Sequence, residues 1–188
     1  LGSRRSEPDP FFCFVPFNGP YGHWPAIRGE SQTRFDEIYR DLPLHSIPRE
    51  GLNRRVIERY TQRVVEAGGT PHERFAGPLL LPNQTTSLRN YFAQTSLIDD
   101  AVGRIMTALD ENGLAEDTIV IYTADHGFSL GHHGIWGHGL AAWPSSMLRP
   151  SYHVPLVMAG PGIATADHHG LVSQIDIPNT LLHAAGAA

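Results

Sequence analysis

Thr118-Ile119-Val120-Ile121-Tyr122-Thr123-Ala124-Asp125-His126-Gly127 is the stretch on which the fold turns. Every residue from Thr118 to Thr123 is β-branched or aromatic, the composition of a buried strand. An acid, an imidazole and a glycine follow at once. In an open α/β sheet, ligands bind beyond the carboxyl ends of the strands. The stretch therefore predicts a strand that delivers two metal-ligand side chains, Asp125 and His126, and then turns away at Gly127. That pattern points to a metal-assisted hydrolase. Taken alone, the tripeptide has a second reading, a loop acid capping a neighbouring amide.

Upstream, the spacing predicts a helix over Ser87 to Asn112. Leu88, Tyr91, Phe92, Thr95, Ile98, Val102, Ile105 and Leu109 recur at threes and fours. Thr85, Thr86 and Ser87 offer caps, and Asn112-Gly113 a left-handed stop. Asp99 and Asp100 read as solvated or supporting charges. Downstream, a Gly- and His-rich loop leads to an apolar strand at 154–158, closed by Ala-Gly-Pro-Gly. A strand or turn at Val172 to Asp176 and a helix from Ile177 to Ala185 complete the chain. Phe11 to Phe17 reads as a further buried strand ended by Asn18-Gly19-Pro20, and Leu52 to Ala67 as a short helix. Helix alternating with strand implies an α/β fold, a mostly parallel sheet flanked by helices.

Composition narrows the partners. The 188 residues carry a net charge of −5 with His counted neutral, and no basic stripe stands out, which argues against nucleic acid. No run is long and apolar enough to read as a membrane span. A single cysteine, Cys13, excludes a disulfide framework within the chain, and its apolar neighbours predict a buried, inert thiol. Seven of the eleven histidines lie between positions 126 and 169, a clustering that favours a site. Two hard or borderline ligands suit Ca²⁺, Mg²⁺ or Mn²⁺ where carboxylates complete the shell, and Zn²⁺ where imidazoles do.

Beyond the tripeptide come Phe-Ser-Leu-Gly-His-His-Gly-Ile-Trp-Gly-His-Gly and Tyr-His-Val-Pro-Leu-Val-Met-Ala-Gly-Pro-Gly. Here the chain resembles the sulfatase family of the alkaline phosphatase superfamily. Pro10-Phe11-Phe12 to Pro20, Ile98 to Gly103, Leu109 to Leu114 and Gln174-Ile175-Asp176-Ile177-Pro178-Asn179-Thr180-Leu181-Leu182 fit the family's ordered motifs. The resemblance runs from residue 10 onward and is weakest between 26 and 85. It implies an alkaline-phosphatase-like fold and, in the parent protein, hydrolysis of a sulfated small molecule or glycan. Asp125 and His126 take the positions that bind the family's divalent cation, usually Ca²⁺. His138 stands where the family has a sulfate-contacting Lys. His23 is the nearest imidazole to the family's leaving-group His, or else a loop histidine. His133 lines the pocket, or is a structural histidine bonded to backbone.

One part of the family pattern does not occur. The formylglycine motif Cys/Ser-x-Pro-x-Arg and the early Asp-Asp pair are absent, and Cys13 has no arginine in register. Residues 1–188 are therefore read as a partial catalytic domain, inactive alone, whose nucleophile belongs to a missing N-terminal part of the same protein. A phosphonate or phosphodiester hydrolase of the same superfamily and a nonenzymatic partner-binding fragment are the competing readings. Such a piece is expected to leave apolar surface uncovered. Family members are often secreted, periplasmic or lysosomal, and nothing in these residues chooses a compartment.

Overall fold

The computed structural model describes residues 10–20, 33–47, 54–68, 85–130, 132, 136–138 and 147–187. Its helices are α1 (Asp36–Tyr39), α2 (Arg54–Glu66), α3 (Thr85–Glu111), α4 (Arg149–Tyr152) and α5 (Ile177–Ala184). Its strands are β1 (Val120–Thr123), β2 (Ser129–Leu130), β3 (Trp136–Gly137) and β4 (Leu156–Ala159).

The long helix behaves as its spacing predicts. Leu88, Ala93 and Leu109 are buried on its inner face, and each fully buried leucine contributes about 1.5–3 kcal/mol. The helix starts two residues earlier than expected, so Thr85 to Ser87 form its first turn rather than its cap. At its far end Gly113 adopts φ 65. Leu114 N–H bonds Leu109 O at 2.9 Å and Gly113 N–H bonds Asp110 O at 2.9 Å, the paired bonds of a Schellman stop. A 3₁₀ turn, Ala115–Asp117, then feeds β1.

The core gathers Leu44, Leu88 and Leu130, with Tyr39, Ile47, Tyr91, Phe92 and Phe128 against it. Tyr39 ties α1 to α3 through its hydroxyl, 2.6 Å from Ser96 Oγ, and its ring lies 5.7 Å from Phe92. Tyr91 reaches the loop after β1, with its ring 5.7 Å from Phe128. Burial, and then the proximity of Tyr122, raise the Tyr91 phenol above its usual pKa. Asp100, read from sequence as a solvated or supporting charge, pairs with Arg34.

Strand pairing departs from the parallel arrangement expected. β1 pairs with β4 antiparallel, from Val120 opposite Ala159 to Thr123 opposite Leu156, and β2 pairs with β3 antiparallel. Parallel neighbours need a crossover, usually a helix. Between β1 and β4 the only helix among the described residues is the four-residue α4. Thr123 Oγ donates to Pro155 O at 2.9 Å, closing one end of this ribbon. At the other end Gly160 (φ 135) admits Thr118: a Cβ there would stand 2.5 Å from Thr118 O.

Two smaller expectations change. Residues 10–19 join no described strand. Without that cover Phe12 and Phe14 are more than three-quarters exposed, and Cys13 is exposed rather than buried. Of the strand or turn read at Val172 to Asp176, the turn is what forms: residues 174–176 make a 3₁₀ turn. Large apolar side chains also lie open at Met147, Val157, Leu171 and Ile175.

Gly103 sits inside α3, and a methyl added there would meet nothing within 4 Å. Gly103→Ala is expected to stabilise the fold by about 0.5–1 kcal/mol through helix propensity alone. Urea unfolding checks this; a lowered midpoint would mean that the space is occupied in solution.

Candidate metal and anion site

The site begins where β1 ends. Thr123 is its last residue, and Asp125 follows after Ala124. The Asp125 side chain is 88% exposed. Its Oδ1 accepts the His126 N–H at 2.9 Å, so the acid does cap the next amide. Capping occupies one oxygen. The other, Oδ2, faces His126 Nε2 at 3.8 Å. The capping reading thus holds without excluding the other: the hydrogen bond from the amide engages one carboxylate oxygen and not its neighbour.

His126 is oriented by its own backbone. Nδ1 lies 2.9 Å from Gly127 O. A carbonyl only accepts, so Nδ1 carries a proton, and in the neutral ring Nε2 holds the lone pair. Metal-ligating histidines characteristically donate their other ring N–H to a carbonyl or carboxylate in this way. This tautomer and the exposed carboxylate fit a divalent cation as part of its shell. They do not complete it: among the described residues no group of three or more His, Cys, Asp or Glu side chains is arranged to hold a metal ion.

Gly127 is where the loop meets α4. Its N–H donates to Ser151 O at 2.9 Å. A Cβ at 127 would lie 2.0 Å from Pro150 O and 2.9 Å from Pro150 C. Only a glycine lets these two backbones approach so closely.

His138, just past β3, stacks on His126 with ring centroids 3.7 Å apart and planes 8° from parallel. The β2–β3 hairpin makes this contact, pairing Ser129 with Gly137. Phe128 closes the apolar side, 6.1 Å from the His138 ring. Burial lowers the His138 pKa and His126 lowers it further, while Asp125 acts in the opposite sense. The imidazole is accordingly cationic only at lower pH than a free histidine, and its neutral form keeps one N–H to donate. The structure thus brings Asp125, His126 and His138 together. His23 and His133 lie outside the described residues.

Two residues that sequence reading passes over also touch this loop. The Gln174 amide donates to Ala124 O and lies 3.5 Å from Thr123 Oγ. His132 Nδ1 accepts the Leu130 N–H at 3.3 Å. For Gln174 a signal exists: Ser173-Gln174-Ile175-Asp176 is a capping-box pattern that fixes a turn.

Comparison with known proteins extends beyond this site. A family model described as Sulfatase matches residues 3–187. A choline-sulfatase of Rhizobium meliloti (strain 1021) is 36% identical over 185 residues, covering 98% of this chain and 32% of that protein. Human iduronate 2-sulfatase is 40% identical over 86 residues, 46% of this chain and 14% of the relative. Arylsulfatase K from Canis lupus familiaris is 40% identical over 98 residues, 52% of this chain and 17% of the relative. The chain thus spans a third or less of the length of these relatives. Because the family match runs through α3, the ribbon and α5 as well as through the Asp-His-Gly turn, the chain belongs to the sulfatase family.

Proposed function

We propose that this chain forms the carboxyl-side portion of a metal-dependent sulfuric ester hydrolase. Membership of the family carries an alkaline-phosphatase-like α/β fold, and sulfatases are in general divalent-cation dependent. In our reading Asp125 and His126 supply two ligands and Ca²⁺ is the resident ion. The observation that carries this is the oriented pair itself: Asp125 Oδ2 and His126 Nε2 face one another 3.8 Å apart, with the imidazole tautomer set by Gly127 O.

When bound, the cation supplies Lewis-acid neutralisation of anionic ester oxygens. The remaining tasks fall to side chains. His126 holds its ring edge toward Asp125, and its stacking on His138 fixes where the second imidazole stands. His138 donates an N–H to a sulfate oxygen. In this reading, which for these two rests on the family resemblance alone, His133 takes part in substrate binding and His23 serves the leaving group. The antiparallel β1–β4 ribbon is read as the rim of a mostly parallel sheet. The nucleophile, a formylglycine in this reading, comes from the part of the protein preceding these residues, so residues 1–188 by themselves do not turn over. Names among the relatives, choline-sulfatase and iduronate 2-sulfatase, support a substrate drawn from sulfated small molecules or glycans.

The test uses the full-length protein. Removal of metal by a chelator is expected to abolish hydrolysis of sulfate esters, and Ca²⁺ to restore it more fully than Mg²⁺, Mn²⁺ or Zn²⁺. Choline sulfate, an aryl sulfate and sulfated iduronate are the substrates to compare, with a phosphodiester and a phosphonate ester as controls. Chelator-resistant turnover, or faster turnover of the phosphorus esters, would overturn the reading.

A further inference from the structure

The loop that presents Asp125 is held from a distance. Gln174, fifty residues on, donates its amide to Ala124 O, the last carbonyl before the acid. The same nitrogen lies 3.5 Å from Thr123 Oγ, whose own proton goes to Pro155 O at 2.9 Å. One carboxamide therefore engages both residues that join β1 to Asp125.

Gln174 is itself firmly mounted. Ser173 N–H donates to Asp176 Oδ2 at 3.2 Å, and Asp176 N–H to Ser173 O at 3.0 Å. Thr180 Oγ donates to Asp176 O at 2.8 Å, joining this turn to α5. A side chain presented from a rigid turn loses little freedom in making its bonds. The Ala124 carbonyl belongs to the peptide plane that sets the direction in which Asp125 leaves the chain. If that plane rotates, the carboxylate swings with it.

We propose that Gln174 is a positioning residue that fixes the peptide plane before Asp125 and so tunes affinity for the divalent cation. The proposal rests on the assignment of Asp125 as a metal ligand. Gln174 is exposed, so its role is expected to show at the site rather than in folding.

Gln174→Met keeps the length and removes the donors; Gln174→Glu keeps the shape and places an acceptor against Ala124 O. In the full-length protein both are expected to weaken Ca²⁺ binding about 10–100-fold, the usual effect of removing a group that orients a ligand. Calorimetry reads this directly. In the metal-free protein, amide exchange at His126 and Gly127 is expected to quicken while the unfolding temperature stays unchanged. Turnover should fall at limiting Ca²⁺ and recover at saturating Ca²⁺, with KM for the ester little altered. Unchanged Ca²⁺ affinity in both variants, beside an inactive Asp125→Asn, overturns the positioning role and leaves the metal assignment standing. A lowered unfolding temperature in both variants without weaker metal binding makes Gln174 a folding residue and equally overturns it. Full metal binding by Asp125→Asn removes the assignment and the inference together.

Discussion

Asp125→Asn in the full-length protein is expected to lose bound cation and turnover together. The substitution is nearly isosteric. Its Oδ1 can still accept the His126 N–H that Asp125 accepts at 2.9 Å, so the turn should keep its shape. What disappears is the negative charge on the oxygen facing His126 Nε2 at 3.8 Å. A neutral amide is a poor ligand for a hard cation beside a carboxylate. Groups that stabilise developing charge are worth about 10²–10³-fold in rate when removed singly, and loss of the ion removes more than one such contact. We expect kcat/KM to fall by at least that factor, with the unfolding temperature of the metal-free protein unmoved because the side chain is 88% exposed; with Ca²⁺ present the variant also lacks the stabilisation that the bound ion supplies. Calorimetric titration with Ca²⁺ and steady-state kinetics on the same preparation check it. A variant that binds Ca²⁺ and turns over normally would remove Asp125 from the site.

Gly127→Ala is expected to damage the same site by a different route. The added methyl would lie 2.0 Å from Pro150 O, 2.9 Å from Pro150 C and 3.2 Å from Ser151 C. All three are backbone atoms of α4, and the proline ring limits how that backbone can yield. Either the Asp-His turn or α4 must shift, and the Gly127 to Ser151 bond stretches with it. Overpacking of this kind costs about 1–3 kcal/mol. A displacement near 1 Å at catalytic groups costs roughly 10²-fold in rate. Measured without metal, stability and turnover should therefore fall together here, whereas Asp125→Asn loses cation and turnover while the metal-free protein keeps its stability. Urea midpoints measured beside kinetics separate the two. Wild-type values for both would show that the close approach at Gly127 is absent in solution.

Local pattern is the part of this structure that the residues announce by themselves. The three-four spacing from Leu88 to Leu109 specifies α3, because an amphipathic face is a property of the helix itself. Asn112-Gly113 marks its end for the same reason. The run from Val120 to Thr123 specifies β1, and Asp125 and His126 stand out as ligand types. Strand direction is not legible in this way. Antiparallel or parallel pairing depends on which segments meet, and nothing in 154–158 encodes that β4 faces β1. The run from Phe11 to Phe17 pairs with no described strand, and an apolar segment becomes a buried strand only when a neighbour supplies its hydrogen bonds. The stacking of His138 on His126 arises from the β2–β3 hairpin, a long-range event. Gln174 escapes notice because its bonds cross fifty residues, although the cap that mounts it is written in four.

Gly127 and Gly160 each leave a gap that a backbone carbonyl fills, beyond opposite ends of the β1–β4 ribbon. Slippage of β4 by one step would bring Ala159 or Pro161 against Thr118 O, where no side chain fits, and would turn every ribbon residue to the wrong face. The elevation of the acid above the ribbon is thus quantised in whole residues, with the adjacent settings barred. A single residue added within β4 would shift that height by a full notch.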